Sequence, residues 1–147
     1  MTVRNLALAT LALVYLCTLT ACAEKKIAMA DDKAKGLIVG EWTADIKDGR
    51  VDIVATQTYR ADGTYTIVNK MALKAGDGQV MHSTITDSGT WIVRDGILTT
   101  TLKESSAPEL KSVGFVSSNR IERLDPTGFE FVDGSGRPIR SRRVTAQ

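Results

Sequence analysis

From Leu37 onward the chain repeats one unit: a short run rich in β-branched and aromatic residues, then a turn carrying glycine. Asp62-Gly63 and Asp95-Gly96 are dipeptides that favour two-residue hairpin turns. Gly76-Asp77-Gly78, residues 125–128 and residues 133–136 punctuate the chain in the same way. The intervening runs read as strands over residues 51–60, 64–74, 79–86, 89–94, 97–103, 110–116, 120–124, 129–132 and 137–144, with a first strand opening at Gly40. Residues 104–108 read as a longer loop and Ser117-Ser118-Asn119 as a turn. No helical period survives past Gly36. Successive hairpins predict an antiparallel, up-and-down meander, an all-β fold of about eight strands. Closing such a sheet into a barrel removes its edges. Eight strands enclose a space that side chains fill or that one small ligand occupies.

The alternation also sorts side chains by face. Tyr65, Ile67, Met71 and Leu73 share one face of their strand, and Met81, Ile85, Trp91 and Val93 continue the pattern. Asn69 falls in the same inward phase, and a polar group there points to an interior that is not wholly filled. Tyr65, Ile67, Asn69, Met71, Met81 and Trp91 are therefore the candidate lining of a ligand cavity, with a packed core as the competing expectation. Aromatic residues make up 5% of the chain, which argues against a large greasy pocket.

Two tryptophan motifs carry a family resemblance. Gly40-Glu41-Trp42 looks like the Gly-x-Trp motif of lipocalins and their calycin relatives. In that family the Trp closes the barrel bottom and an Arg from near the chain end packs over it. The resemblance thus implies a closure by Trp42 with Arg140 or Arg142, or with Arg143. An Arg on an indole face contributes about 0.5–2 kcal/mol. Residues 58–65, Thr-Tyr-Arg-Ala-Asp-Gly-Thr-Tyr, and residues 89–98, from Gly-Thr-Trp onward, resemble the lipocalin-like domains of bacterial lipoproteins. That likeness spans residue 37 to about residue 144. The Thr-Asp-Tyr loop of true lipocalins is missing.

The N-terminal stretch has a different texture. Met1-Thr2-Val3-Arg4 carries one positive charge, and residues 6–21 then contain no charged side chain, Gly or Pro. That is the layout of a secretory signal, and it is shorter than the roughly 20 residues a spanning helix needs. Leu19-Thr20-Ala21-Cys22 resembles the lipobox of bacterial lipoproteins, in which the Cys thiol receives a diacylglyceryl group and cleavage before the Cys leaves it as the first residue of the mature chain. Cys17 follows Tyr15-Leu16 and does not fit the motif. The resemblance implies a signal peptide over residues 1–21, a lipidated tether over 22–36 and a barrel domain over 37–147. Two or three acyl chains hold a protein stably on a bilayer. Ala23 follows the Cys, where Asp resembles an inner-membrane retention signal. The implied location is the bacterial cell envelope, anchored in the outer membrane and facing the periplasm. Within the tether, Asp31 is a candidate cap for one helical turn that Gly36 would end.

Little in the sequence points to chemistry. Lys and Arg number 19 against 17 Asp and Glu, a formal net charge of +2, without the basic stripe of a nucleic-acid binder. Loss of the first 21 residues leaves Cys22 as the sole cysteine, so neither a disulfide nor a catalytic thiol is expected. His82 is the single histidine and reads as a solvent-facing residue, since Met81 and Ile85 define the other face. Asp45, Asp48 and Asp52 near Gly49 read as turn chemistry, because no distal Glu completes a calcium loop. Arg137, Arg140, Arg142 and Arg143 cluster near the chain end and read either as a contact for anionic headgroups or an acidic partner, or, for Arg140 and Arg142, as the solvent face of an edge strand. The expectation is a binding module without cofactor or metal, holding a small apolar ligand or an envelope protein. The alternative is an assembly role for a filled barrel acting through its rim and Arg-rich last strand.

Overall fold

The computed structural model describes residues 29–144. Cys22 and the apolar run before it lie outside these residues. The chain forms a short helix α1 (Asp31–Ile38) and eight strands. These are β1 (Gly40–Asp48), β2 (Val51–Tyr59), β3 (Thr64–Lys74), β4 (Val80–Arg94), β5 (Ile97–Ser105), β6 (Val116–Leu124), β7 (Gly128–Val132) and β8 (Pro138–Arg143). Each strand pairs antiparallel with the next, and β8 returns to β1, closing the barrel in the order β1 to β8. Among the described residues no helix is long and apolar enough to cross a membrane.

A meander that starts at one end leaves its loops alternately at the two ends. The β2–β3, β4–β5 and β6–β7 turns lie at the end where α1 enters. The β1–β2, β3–β4, β5–β6 and β7–β8 connections lie at the other, which we term the open end. The seam is short: β1 and β8 pair only through Trp42↔Arg143 and Thr43↔Arg142.

Three details differ from the sequence reading. Residues 79–86 and 89–94 belong to one long strand, β4, whose pairing with β5 slips at Ser88/Gly89. Gly89 permits that slip, because a Cβ there would collide with the Thr101 carbonyl and press on the Tyr65 ring. Residues 110–115 are loop, and the strand begins at Val116 and runs through Ser117-Ser118-Asn119. Finally, α1 runs through Gly36 instead of ending there, and Ala30 occupies the N-cap position. The helix continues because Ala34 and Ile38 are buried in the barrel's core, and that burial outweighs the low helix propensity of glycine. Asp31 instead accepts the backbone N–H of Asp95 at 3.3 Å, which ties the helix to the β4–β5 turn. Part of the expected tether is thus a plug in the barrel base.

Candidate functional site

The closed half of the barrel is filled by rings. Trp42, Tyr59, Trp91 and Phe129 are almost wholly buried. Trp42 meets Phe129 at 5.7 Å between ring centres, Tyr59 meets Trp91 at 5.6 Å, and Phe129 meets Phe131 at 5.0 Å. Edge-on and tilted packing of this kind adds to the area term. The indole N–H groups find backbone acceptors: Trp42 donates to the Ile38 carbonyl at 2.8 Å and Trp91 to the Arg60 carbonyl at 3.1 Å.

Arg143 completes this end. Its guanidinium carbon lies 4.2 Å from the centre of the Trp42 ring. It donates to the carbonyls of Val39 at 3.0 Å and Pro126 at 2.7 Å, and to that of Leu37. The expected closure therefore involves Trp42 but neither Arg140 nor Arg142. Strand parity explains the correction. Ile139 and Ser141 face inward on β8, so residue 143 is in phase with them and the even-numbered arginines point to solvent. Arg140 faces Glu130 at 3.6 Å and Arg142 faces Asp45 at 3.5 Å. Gly40 serves the same contact: its φ of 136° is a glycine conformation, and a Cβ there would overlap the Arg143 guanidinium.

Beyond the aromatic layer the inward residues become short or polar. Ala55, Gln57, Asn69, Asp87, Thr100, Ser117 and Asn119 face a cavity of about 200 Å³ that reaches the open end. Ile46, Ile67, Leu102, Phe115, Phe131 and Ile139 supply its apolar walls. Lys111 and Phe115 from the β5–β6 loop, and Asp133 and Arg137 from the β7–β8 turn, stand at its mouth. The lining thus combines apolar walls with a few polar groups.

The polar groups are organised. Tyr59 donates its hydroxyl to Gln57 Oε1 at 3.2 Å, and Ser117 donates to Asn119 Oδ1 at 3.4 Å. The Asp87 carboxylate accepts the Ser105 hydroxyl at 2.7 Å and the Lys111 ammonium at 3.1 Å. Burial, and then the Asp87 charge, hold the Tyr65 phenol above its ordinary pKa, while a hydrogen bond with Thr100 opposes the shift. Burial pushes the Tyr59 phenol higher still. Both tyrosines therefore stay neutral and serve as hydrogen-bonding groups. Among the described residues no group of three or more His, Cys, Asp or Glu side chains is placed to hold a metal ion.

Of the expected lining residues, Tyr65, Ile67 and Asn69 line the cavity. Met71 is half-buried on β3 outside the lining. Trp91 belongs to the aromatic plug. Met81 is 57% exposed. Its phase is right, but β4 pairs with β5 only from Asp87 onward, so residues 80–86 pair with β3 alone and carry Met81 past the rim. Asp87, Thr100, Asn119 and Lys111 were not singled out from the sequence. Asp87 was legible, since it shares the inward parity of Trp91. Lys111 was not, because it sits on an irregular loop with no period to place it.

No protein-family model matches the chain, and no curated protein matches it either.

Proposed function

We propose that this chain is a lipid-anchored bacterial envelope protein of lipocalin-like type whose barrel is a non-catalytic binding module for one small ligand. The observation that carries the reading is the division of the barrel: an aromatic plug at one end and a cavity of about 200 Å³ with mixed lining at the other. A structural barrel with no ligand would gain by packing large apolar residues where Asn69, Thr100 and Asn119 stand. A cavity of about 150 Å³ already accommodates benzene, so the occupant is small.

The anchor rests on Leu19-Thr20-Ala21-Cys22. The chain enters the barrel at its closed end, and the seven residue-to-residue steps from Cys22 to Met29 reach at most about 25 Å. An acylated Cys22 would hold the closed end towards the bilayer and turn the mouth away from it. Ligand would then enter from the aqueous side, and the envelope compartment named above, the periplasm, would supply it.

A second reading has its own support. Leu110, Val113, Phe115 and Val116 are all exposed around the β5–β6 connection beside the mouth. An apolar rim of this kind suits contact with an envelope protein. The Arg-rich outer face of β8 supports that reading less, since Arg140 and Arg142 already face Glu130 and Asp45.

Replacement of Cys22 by Ser tests the anchor: acyl labelling and sedimentation with membranes should both be lost. A variant that still labels and sediments with membranes contradicts the localisation. Substitution of Ala55 by Phe, which fills the cavity from its wall, tests the binding reading: a co-purifying small molecule should disappear while the fold persists.

A further inference from the structure

We propose that Asp87 is an ammonium subsite, and that the cavity takes a small primary amine with a compact apolar body. The inference rests on the reading of the cavity as a ligand site and names the chemistry of its occupant.

The Asp87–Lys111 ion pair is asymmetric. The Asp87 side chain is 5% exposed, whereas that of its counter-ion Lys111 is 47% exposed. Asp87 is fixed on β4, and Ser105 on the adjacent strand holds its Oδ1. Lys111 reaches Oδ2 from the β5–β6 loop on a long, half-exposed side chain. A carboxylate so enclosed is costly without a cation beside it. The cavity wall therefore always calls for a positive group, and in this structure an ammonium of the chain itself supplies it. Lys111 can swing into solvent and be hydrated there, but Asp87 cannot follow. An incoming ammonium can replace it at the same carboxylate oxygen.

The surroundings favour an amine over other classes. Gln57 and Asn119 bring side-chain amides into the same cavity, and an ammonium has three protons to place. Tyr65 lies close enough to sense the Asp87 charge. Ile67, which pairs with both Gln57 and Asp87, and Leu102 on β5 flank these groups, and together with Ile139 from β8 they offer apolar surface for a ring or short alkyl body. The other charges at the mouth are taken up: Arg137 pairs with Asp133 at 3.2 Å and with Asp48 at 3.1 Å. An anionic ligand would meet the enclosed Asp87 carboxylate, and a neutral one would leave the Lys111 pair in place and gain nothing from it.

The test uses the full chain, with its anchor, in a non-ionic detergent. Three probes of nearly equal size are titrated: 2-phenylethylamine, 2-phenylethanol and phenylacetate. Binding is read from the methyl resonances of Ile67, Leu102 and Ile139. The amine should bind at least about ten-fold tighter than the alcohol, as a charge-assisted hydrogen bond in an enclosed site implies. Lys111→Met removes the internal competitor and should tighten the amine several-fold with the alcohol unchanged. Asp87→Asn should abolish the preference for the amine. Should that variant fail to fold, the Lys111 variant alone still decides. Equal affinity for amine and alcohol, no response to Lys111→Met, or tightest binding of phenylacetate overturns the ammonium subsite and leaves the cavity reading standing. If none of the three probes moves the methyl resonances, the cavity reading falls and takes this inference with it.

Discussion

Arg143 covers Trp42 with its guanidinium carbon 4.2 Å from the ring centre, and in the same pose it binds carbonyls on both sides of the barrel base. One side chain thus joins the end of α1, the start of β1 and the β6–β7 turn. Arg143→Ala should cost about 2–4 kcal/mol, the sum of a cation–π contact and hydrogen bonds from a charged donor. Arg140→Ala and Arg142→Ala, which remove largely exposed side chains, should each stay within about 0.5 kcal/mol. Urea denaturation of the three variants checks the contrast. Equal effects would remove Arg143 from its central place.

Glycine positions give a second contrast. Gly89→Ala would drive a methyl group into the Thr101 carbonyl at the β4–β5 slip, and Gly40→Ala would displace Arg143 from a backbone that also has positive φ. Both should lower the melting temperature strongly or prevent folding. Gly76→Ala and Gly134→Ala meet nothing within 4 Å and should leave it nearly unchanged.

These same residues show what the sequence could and could not reveal. Alternation and turn dipeptides placed most of the strands, because an up-and-down meander is built from local signals. The parity of Ile139 already contained the choice of Arg143 over its neighbours. The run of residues 80–86 past the barrel rim was hidden, since it depends on where β5 begins to pair, a non-local fact. The β5–β6 loop has no period, so its Lys111 could not be placed against Asp87 from spacing alone. Gly36 reads as a helix terminator, yet burial of Ile38 two residues later carries α1 through it.

Ser141 makes a prediction of opposite sign. Its Oγ is buried at the β1–β8 seam with no hydrogen-bond partner among the described residues. Ser141→Ala should stabilise the barrel by about 1 kcal/mol, since removing an unsatisfied hydroxyl recovers part of its desolvation cost. Calorimetry or urea denaturation reads the change. A loss of stability would mean that the hydroxyl has a role in closing the seam.

Acid should loosen the turns. Asp125 accepts the Thr127 hydroxyl, the N–H groups of Thr127 and Gly128, and an Arg123 hydrogen bond, which hold its carboxyl far below the usual range. Hydrogen bonds from the Thr64 hydroxyl and N–H lower Asp62 in the same sense. A carboxyl depressed in the folded state contributes stability that is complete above its unfolded value of about 3.9 and is lost as pH falls through the folded value. The urea midpoint should be flat from about pH 7 to 5 and should fall below about pH 4. Asp125→Ala should lower the midpoint at neutral pH and flatten its decline in acid.

We have proposed that the open half of this barrel is a site for one small molecule, and native mass spectrometry of the full chain purified from its own host is the sharpest check. A species heavier than the unliganded chain by one small molecule is expected, and it should be lost in the Ala55→Phe variant. Repeated preparations that give only the unliganded mass, in both proteins, would contradict it.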